Sequence, residues 1–271
     1  MIASSSGAID YGEEGSGPTI LFVPGSWATR SAWRDVAAQL KDRYRIVTTS
    51  LLGYGRTAER RTSADVSLVH EVGMLVEVLD RAGHGAHVVG HSFGACVSLA
   101  LALKNPQGFG SLTLIEPPLF SALSRTGENA LYNEMTSMTD AYFREFESGE
   151  RRAAARVIDF YGGEGAFDAL PPAFRDYVVA TTATNILDWK SSKEFDEPMD
   201  AFAKLNVPAL VVRGEKAHPT MLRITELLSE ALPAASLATV KDASHFMIMT
   251  HAPKVAALVD AHVSAVEAQR R

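Results

Sequence analysis

AHVVGHSFGACVSLALAL, residues 86–103, reads as a buried strand, a tight turn and a helix in immediate succession. His87, Val88 and Val89 carry the strand, and Gly90-His91-Ser92-Phe93-Gly94 makes the turn. From Ala95 onward Val97, Leu99 and Leu101 are interleaved with small residues along a helix. Gly-x-Ser-x-Gly between a strand and a helix is the pattern of a nucleophile elbow. At so sharp a turn the serine sits at a strained backbone angle, and a Cβ at Gly90 or Gly94 would collide with neighbouring chain. The amides that open the following helix point at the serine and can stabilise an oxyanion.

On the N-terminal side of the elbow, Ile9 to Gly17 reads as a hairpin turn, and Thr19–Val23 is a continuous apolar run suited to a central parallel strand. Ser31 caps a predicted helix from Ala32 to Leu40. Tyr44–Thr49 is the next strand, a glycine-bearing loop spans Leu52–Thr57, and a long helix is predicted from about Ala64 to Ala82. On the C-terminal side, Ser111–Ile115 is a strand closed by Glu116-Pro117-Pro118.

The strand–helix rhythm then stops. Asn129–Glu147, Arg151–Tyr161 and Pro172–Ser191 read as helices with no strand between them. The rhythm resumes with a strand at Val207–Arg213, a helix at Thr220–Leu232, a strand at Ala235–Val240 and a last helix from about Pro253 to Ala268. Alternation of this kind implies an α/β fold, a mostly parallel central sheet with helices on both faces. The chain divides into a core of residues 1–117 and 201–271 and an all-helical cap of residues 118–200, inserted after the strand that follows the elbow. Such a cap lies above the carboxyl ends of the strands, where ligands bind.

With 46% hydrophobic and 21% charged residues, the 271-residue chain has a globular composition and is long enough for one large core plus an insertion. Its net charge of −6, with no basic stripe, argues against a nucleic-acid partner. The first residues lack both a basic region and an apolar run, and no apolar stretch is long enough for a membrane span, so the expected compartment is cytoplasmic. Cys96 is the single cysteine, which excludes an intrachain disulfide and suits a small core residue. No pair among the eight histidines has the spacing of a metal site. Oligomeric state is not legible.

Several motifs occur in a fixed order: Val23-Pro24-Gly25-Ser26 after the first core strand, Gly53-Tyr54-Gly55-Arg56-Thr57 after the second, the elbow at Gly90–Gly94, the helical insertion, Val212-Arg213-Gly214-Glu215-Lys216, and Ser244-His245-Phe246. In this order the chain resembles the α/β-hydrolase family over nearly its whole length, in particular serine-nucleophile, esterase-like members with a helical cap. Three departures stand out. The family usually has His-Gly where this chain has Pro24-Gly25; it usually ends the strand after the cap in Gly-x-x-Asp, where Ala217 stands; and it often carries an aspartate where this chain reads Thr49-Ser50-Leu51-Leu52.

Ser92 is the expected nucleophile, and a serine hydroxyl needs an adjacent base. His245 follows the last strand, where a loop can lean over the elbow, and the resemblance points to the same residue. The oxyanion hole is expected from the backbone amides of Ser26 and Phe93; Pro24 has no amide proton but supplies neither donor. Trp27 and His91 are candidates for the substrate pocket, with packing under the cap an equal reading for Trp27, and His218 is a further histidine near the anomalous Ala217.

The acid of the triad is the open position, because Ala217 cannot serve. Glu116, at the end of the strand beside the elbow strand, is the first candidate, and the resemblance allows it, since some relatives place their acid after this strand. Glu215 and Asp242 are poorer candidates, and a dyad without an acid is the remaining possibility. The implied reaction is hydrolysis of a small carboxylic ester through an acyl-enzyme on Ser92, requiring no cofactor. A C–C bond hydrolase or a lactonase would use the same residues, and a ligand-binding sensor with slow turnover would also fit the loss of the aspartate at Ala217.

Overall fold

Apolar runs separated by helices become parallel strands because both faces of the sheet are covered. The computed structural model describes residues 1–4 and 7–270; Ser5, Ser6 and Arg271, assigned above to the core segments, lie outside the described residues. The strands are β1 (Tyr11–Glu14), β2 (Thr19–Val23), β3 (Arg45–Thr49), β4 (Ala86–His91), β5 (Phe109–Ile115), β6 (Ala209–Gly214) and β7 (Ala235–Val240). They form one sheet in the order β1-β3-β2-β4-β5-β6-β7, with β1 antiparallel to β3 and all other pairs parallel.

The helices before the insertion are α1 (Arg34–Ala37), α2 (Val69–Ala82) and α3 (Phe93–Lys104). Between β5 and β6 come α4 (Phe120–Arg125), α5 (Asn129–Glu147), α6 (Ala154–Gly162), α7 (Pro172–Ala180), α8 (Thr182–Glu194) and α9 (Met199–Ala203), and α10 (Pro219–Ala231), α11 (Met247–Thr250) and α12 (Ala252–Arg270) complete the chain. The period-two alternation of the strands splits the core in two. Leu21, Val88, Leu112 and Val211 pack towards α2, α3 and α10. Ile20, Phe22, Val89 and Val212 pack on the opposite face with α1 and α12. The α/β-hydrolase fold expected from the motif order is thus present, with a cap-like helical region over α5–α9. Among the described residues no helix is long and apolar enough to cross a membrane.

Four local readings are corrected. Residues 9–17 contain an edge strand, β1, because Tyr11–Glu14 pair with β3. The helix predicted over Ala32–Leu40 is a 3₁₀ turn at Arg30–Trp33 followed by α1, and its cap is Thr29, whose hydroxyl accepts from the Ser31 N–H. The helix predicted from Ala64 starts at Val69, because Thr62 and Asp65 bond each other's backbone and the Asp65 carboxylate takes the Ser67 N–H. The helix predicted over Pro172–Ser191 breaks at Thr181, where the tandem hydroxyls of Thr181 and Thr182 donate to the carbonyls of Tyr177 and Val178. Hydroxyls bonding backward in this way weaken a helix locally.

Candidate active site

The carboxyl ends of β2, β4, β5 and β7 place Ser26, Ser92, Glu116 and His245 at one edge of the sheet. His91 is in register with Ile115, so Ser92 and Glu116 leave neighbouring strands side by side. The Ser92 N–H bonds the Ile115 carbonyl (2.8 Å) and the Glu116 N–H bonds the Val212 carbonyl (3.1 Å), which ties three strand ends together. Ser92 has φ 52° and ψ −127°, and Trp27 (φ 57°) and Glu116 (φ 45°) share the left-handed region. Non-glycine residues in that region carry strain that the surrounding structure must hold.

Close packing explains the glycines. A Cβ at Gly94 would come within 2.2 Å of the Pro24 carbonyl oxygen, and one at Gly25 within 2.9 Å of the Ser92 Cβ. The loop after β2 and the elbow therefore touch backbone to backbone.

Ser92 Oγ lies 3.0 Å from His245 Nε2, and His245 Nδ1 lies 2.7 Å from Glu116 Oε2. A carboxylate only accepts, so His245 donates from Nδ1 and accepts the Ser92 hydroxyl at Nε2. The other carboxylate oxygen of Glu116, Oε1, accepts from the Gly214 N–H at 2.7 Å. Glu116 is fully buried and His245 is 3% exposed. The other candidates for the acid point elsewhere. The Glu215 carboxylate accepts from the Asp242 N–H, and Asp242 pairs with Lys216. Ala217 is buried in the loop after β6.

A model of the alpha/beta hydrolase family matches residues 20–258. The chain belongs to that family. This hydrolase is 26% identical over 247 residues to Lipase 3 of Moraxella sp. (strain TA144), covering 85% of this chain and 72% of the relative. It is 29% identical over 259 residues to 2-hydroxymuconate semialdehyde hydrolase of Pseudomonas sp. (strain CF600), covering 90% and 83%. The solved structure of a thermophilic esterase from Thermogutta terrifontis superposes with a TM-score of 0.72 at 19% identity, covering 95% of this chain and 93% of the esterase, a likeness of fold.

In the hydrolase the Ser92 hydroxyl opens on a cavity of about 710 Å³. Val157, Ile158, Tyr161, Phe174, Val178 and Trp189 from the helical insertion form one wall, and Trp27, Ile248 and Met249 form part of the other. Tyr161 stacks on the His245 ring at 4.3 Å between centroids. Neither the Ser26 nor the Phe93 N–H has an acceptor among the described residues.

His91 also lines the cavity, but its Nε2 donates to the His245 carbonyl (2.9 Å), which braces the loop carrying His245. Burial, reinforced by the neighbouring His245, pushes its pKa down to about 3, so the ring stays neutral beside Ser92 and His245. His218 is set apart from the cavity: it caps α10 and stacks on Phe160.

The sequence reading missed a second polar assembly beside the site. Asp188, on α8, accepts from Ser26 Oγ (2.5 Å), from the Tyr54 hydroxyl (2.7 Å) and from Arg61 Nη1 (2.8 Å). Arg61 also pairs with Glu59 (2.8 Å) and Glu71 (3.5 Å), and its guanidinium lies over the Phe93 ring. Burial pushes the Asp188 carboxyl up while Arg61 pulls it back, and burial raises Glu71 to about 8. Tyr54 stands in a motif singled out by the resemblance, but Asp188 follows it by 134 positions inside a helix with no local signal.

Proposed function

We propose that this hydrolase cleaves small, neutral carboxylic esters through an acyl-enzyme on Ser92. The observation that carries the reading is the chain Ser92–His245–Glu116, with contacts of 3.0 and 2.7 Å, opening on a largely apolar cavity.

Ser92 Oγ attacks the ester carbonyl carbon and gives its proton to His245 Nε2. The carbonyl oxygen becomes an oxyanion held by the Ser26 and Phe93 amides. Collapse breaks the bond to the alcohol oxygen, which takes the proton back from Nε2. Water then gives its proton to Nε2 and attacks the acyl carbon; the acid leaves, and Ser92 Oγ recovers the proton. Throughout, Glu116 accepts from Nδ1, which fixes the tautomer and stabilises the imidazolium. Residues 118–200 act as the substrate cap in this reading, since their side chains make one wall of the cavity.

The 29% identity to a muconate semialdehyde hydrolase favours C–C bond cleavage as a second reading. An anionic substrate of that kind needs a buried cation, and the one lysine or arginine among the lining residues is Arg34, 80% exposed at the rim. A sensor with slow turnover loses its main support, because Glu116 contacts the histidine nitrogen that an acid at Ala217 would otherwise serve.

A series of p-nitrophenyl esters of increasing acyl length, with a lactone and a vinylogous 1,5-diketone alongside, tests the reading. Robust turnover of the esters is expected. Binding without turnover, or turnover confined to the diketone, overturns it.

A further inference from the structure

We infer that Asp188 is a positioning residue that sets the oxyanion loop, so that seating of the helical insertion on the core and assembly of the oxyanion hole are one event. The inference rests on the ester-hydrolase reading for the role of the Ser26 amide.

The loop after β2 has little of its own to fix it. Pro24 has no N–H, Gly25 has no side chain, and Trp27 is held at φ 57°. By the resemblance drawn above, Pro24 stands where the family usually has a histidine. The Ser26 side chain supplies the anchor: its hydroxyl donates to Asp188 at 2.5 Å across 162 positions of sequence. With Oγ bonded to Asp188 the side chain of Ser26 is anchored, while its N–H has no acceptor among the described residues. A second route runs through Tyr54, whose hydroxyl donates to the same carboxylate oxygen and lies against the Trp27 N–H.

The same assembly reaches the other donor of the hole. Arg61, bonded to Asp188, lies 6.0 Å from the centroid of the Phe93 ring. One carboxylate on α8 therefore holds Ser26 directly and, through a single guanidinium, backs Phe93.

Burying an arginine with its acidic partners is a poor way to gain stability, because desolvation offsets most of the Coulombic attraction. Arg61, Glu71 and Asp188 are all essentially inaccessible. Such a cluster specifies one arrangement of the parts it joins, here α8, the loop after β2, the loop containing Tyr54 and the start of α3.

The test uses the full-length enzyme with Ser26→Ala, Asp188→Asn and the double variant, on a matched pair of p-nitrophenyl ester and thionoester. An oxyanion hole built for oxygen discriminates against sulfur, so the ratio of the two rates reads hole geometry. Each single variant should lower kcat on the oxygen ester about 10–100-fold, short of the 10²–10³ seen when a hole donor is removed outright. KM should stay within about threefold, and the oxygen-to-sulfur ratio should shrink with kcat. The double variant should be no worse than Asp188→Asn, because both singles break the same contact.

Equal losses on both esters, a change confined to KM, unchanged kinetics or additive losses overturn the inference. Ser26→Ala keeps the Asp188–Arg61–Tyr54 contacts and covers the case in which Asp188→Asn fails to fold. If the wild-type enzyme turns over no ester, the ester reading fails on its own, and the rate of Ser92 phosphonylation by a p-nitrophenyl phosphonate replaces kcat. Slower phosphonylation in the variants then supports the positioning role, and wild-type rates overturn it.

Discussion

Two buried carboxylates flank the Ser92 elbow, and they are held in opposite ways. Glu116 accepts from one backbone N–H and one imidazole, and no lysine or arginine among the described residues pairs with it. Asp188 accepts from two hydroxyls and a guanidinium. The charge of Asp188 is already answered in the resting enzyme, which suits it to holding parts in place. In the proposed mechanism the charge of Glu116 faces a group that becomes cationic on taking the Ser92 proton, so its full electrostatic effect would appear as the reaction proceeds.

Their origins differ as well. Glu116 stands beside Ser92 because β5 is in register with β4, and it meets His245 where the loop after β7 folds back over that edge. Asp188 reaches Ser26 from a helix of the insertion, and its position depends on how that insertion packs.

The largest effect is expected at Ser92, the proposed nucleophile that both carboxylates flank. Ser92→Ala should lower kcat by about 10⁶, the scale of losing a triad serine, and should abolish labelling by a fluorophosphonate probe. A probe adduct that maps elsewhere in the wild-type chain would remove Ser92 from the scheme. Next in size is Glu116→Gln, which should lower kcat/KM by about 10⁴, as loss of the acid does in a serine protease. Adding Ala217→Asp to that variant should recover part of the loss. A nearly silent Glu116→Gln, with a strong gain from Ala217→Asp alone, would make this a dyad enzyme.

A smaller effect is expected on the insertion wall. Leu170→Trp fills the cavity and should shift preference towards shorter acyl chains by about tenfold in kcat/KM, the worth of one or two methylene contacts. Unchanged selectivity across an ester series would detach residues 118–200 from substrate choice.

The smallest effect belongs to the Asp188 assembly and concerns pH. Glu71 has its pKa raised by burial from 4.5 to about 8. Between those values the folded state binds more protons than the unfolded state, so this group makes stability fall as pH rises, with the penalty complete above about 8. Glu71→Gln should flatten that part of the pH dependence of the thermal midpoint between pH 5 and 9. Parallel curves for the two proteins would show that Glu71 is charged throughout.

The helix breaks show where local reading stops. The late start of α2 and the break at Thr181 coincide with side chains that bond backbone, at Asp65 and at Thr181 and Thr182. Both are competitions decided by small energy differences that apolar periodicity does not register. The α/β alternation was legible because strands and helices bury their faces with different periods, and β4 and β5 are buried along their whole length.

The features legible along the chain are local or follow from strand order. The turn at Gly90–Gly94 needs glycines where backbone meets backbone, and it sits between a strand and a helix in unbroken succession. Glu116 and His245 could be proposed because one directly follows β5 and the other lies in the loop after β7, and parallel strands deliver their carboxyl ends to one edge. The shared partner of Ser26, Tyr54 and Arg61 is set by long-range packing. Asp188 meets them through the docking of α8 on the core, and a buried ion cluster depends on distances and desolvation at that contact, which composition and spacing along the chain do not encode.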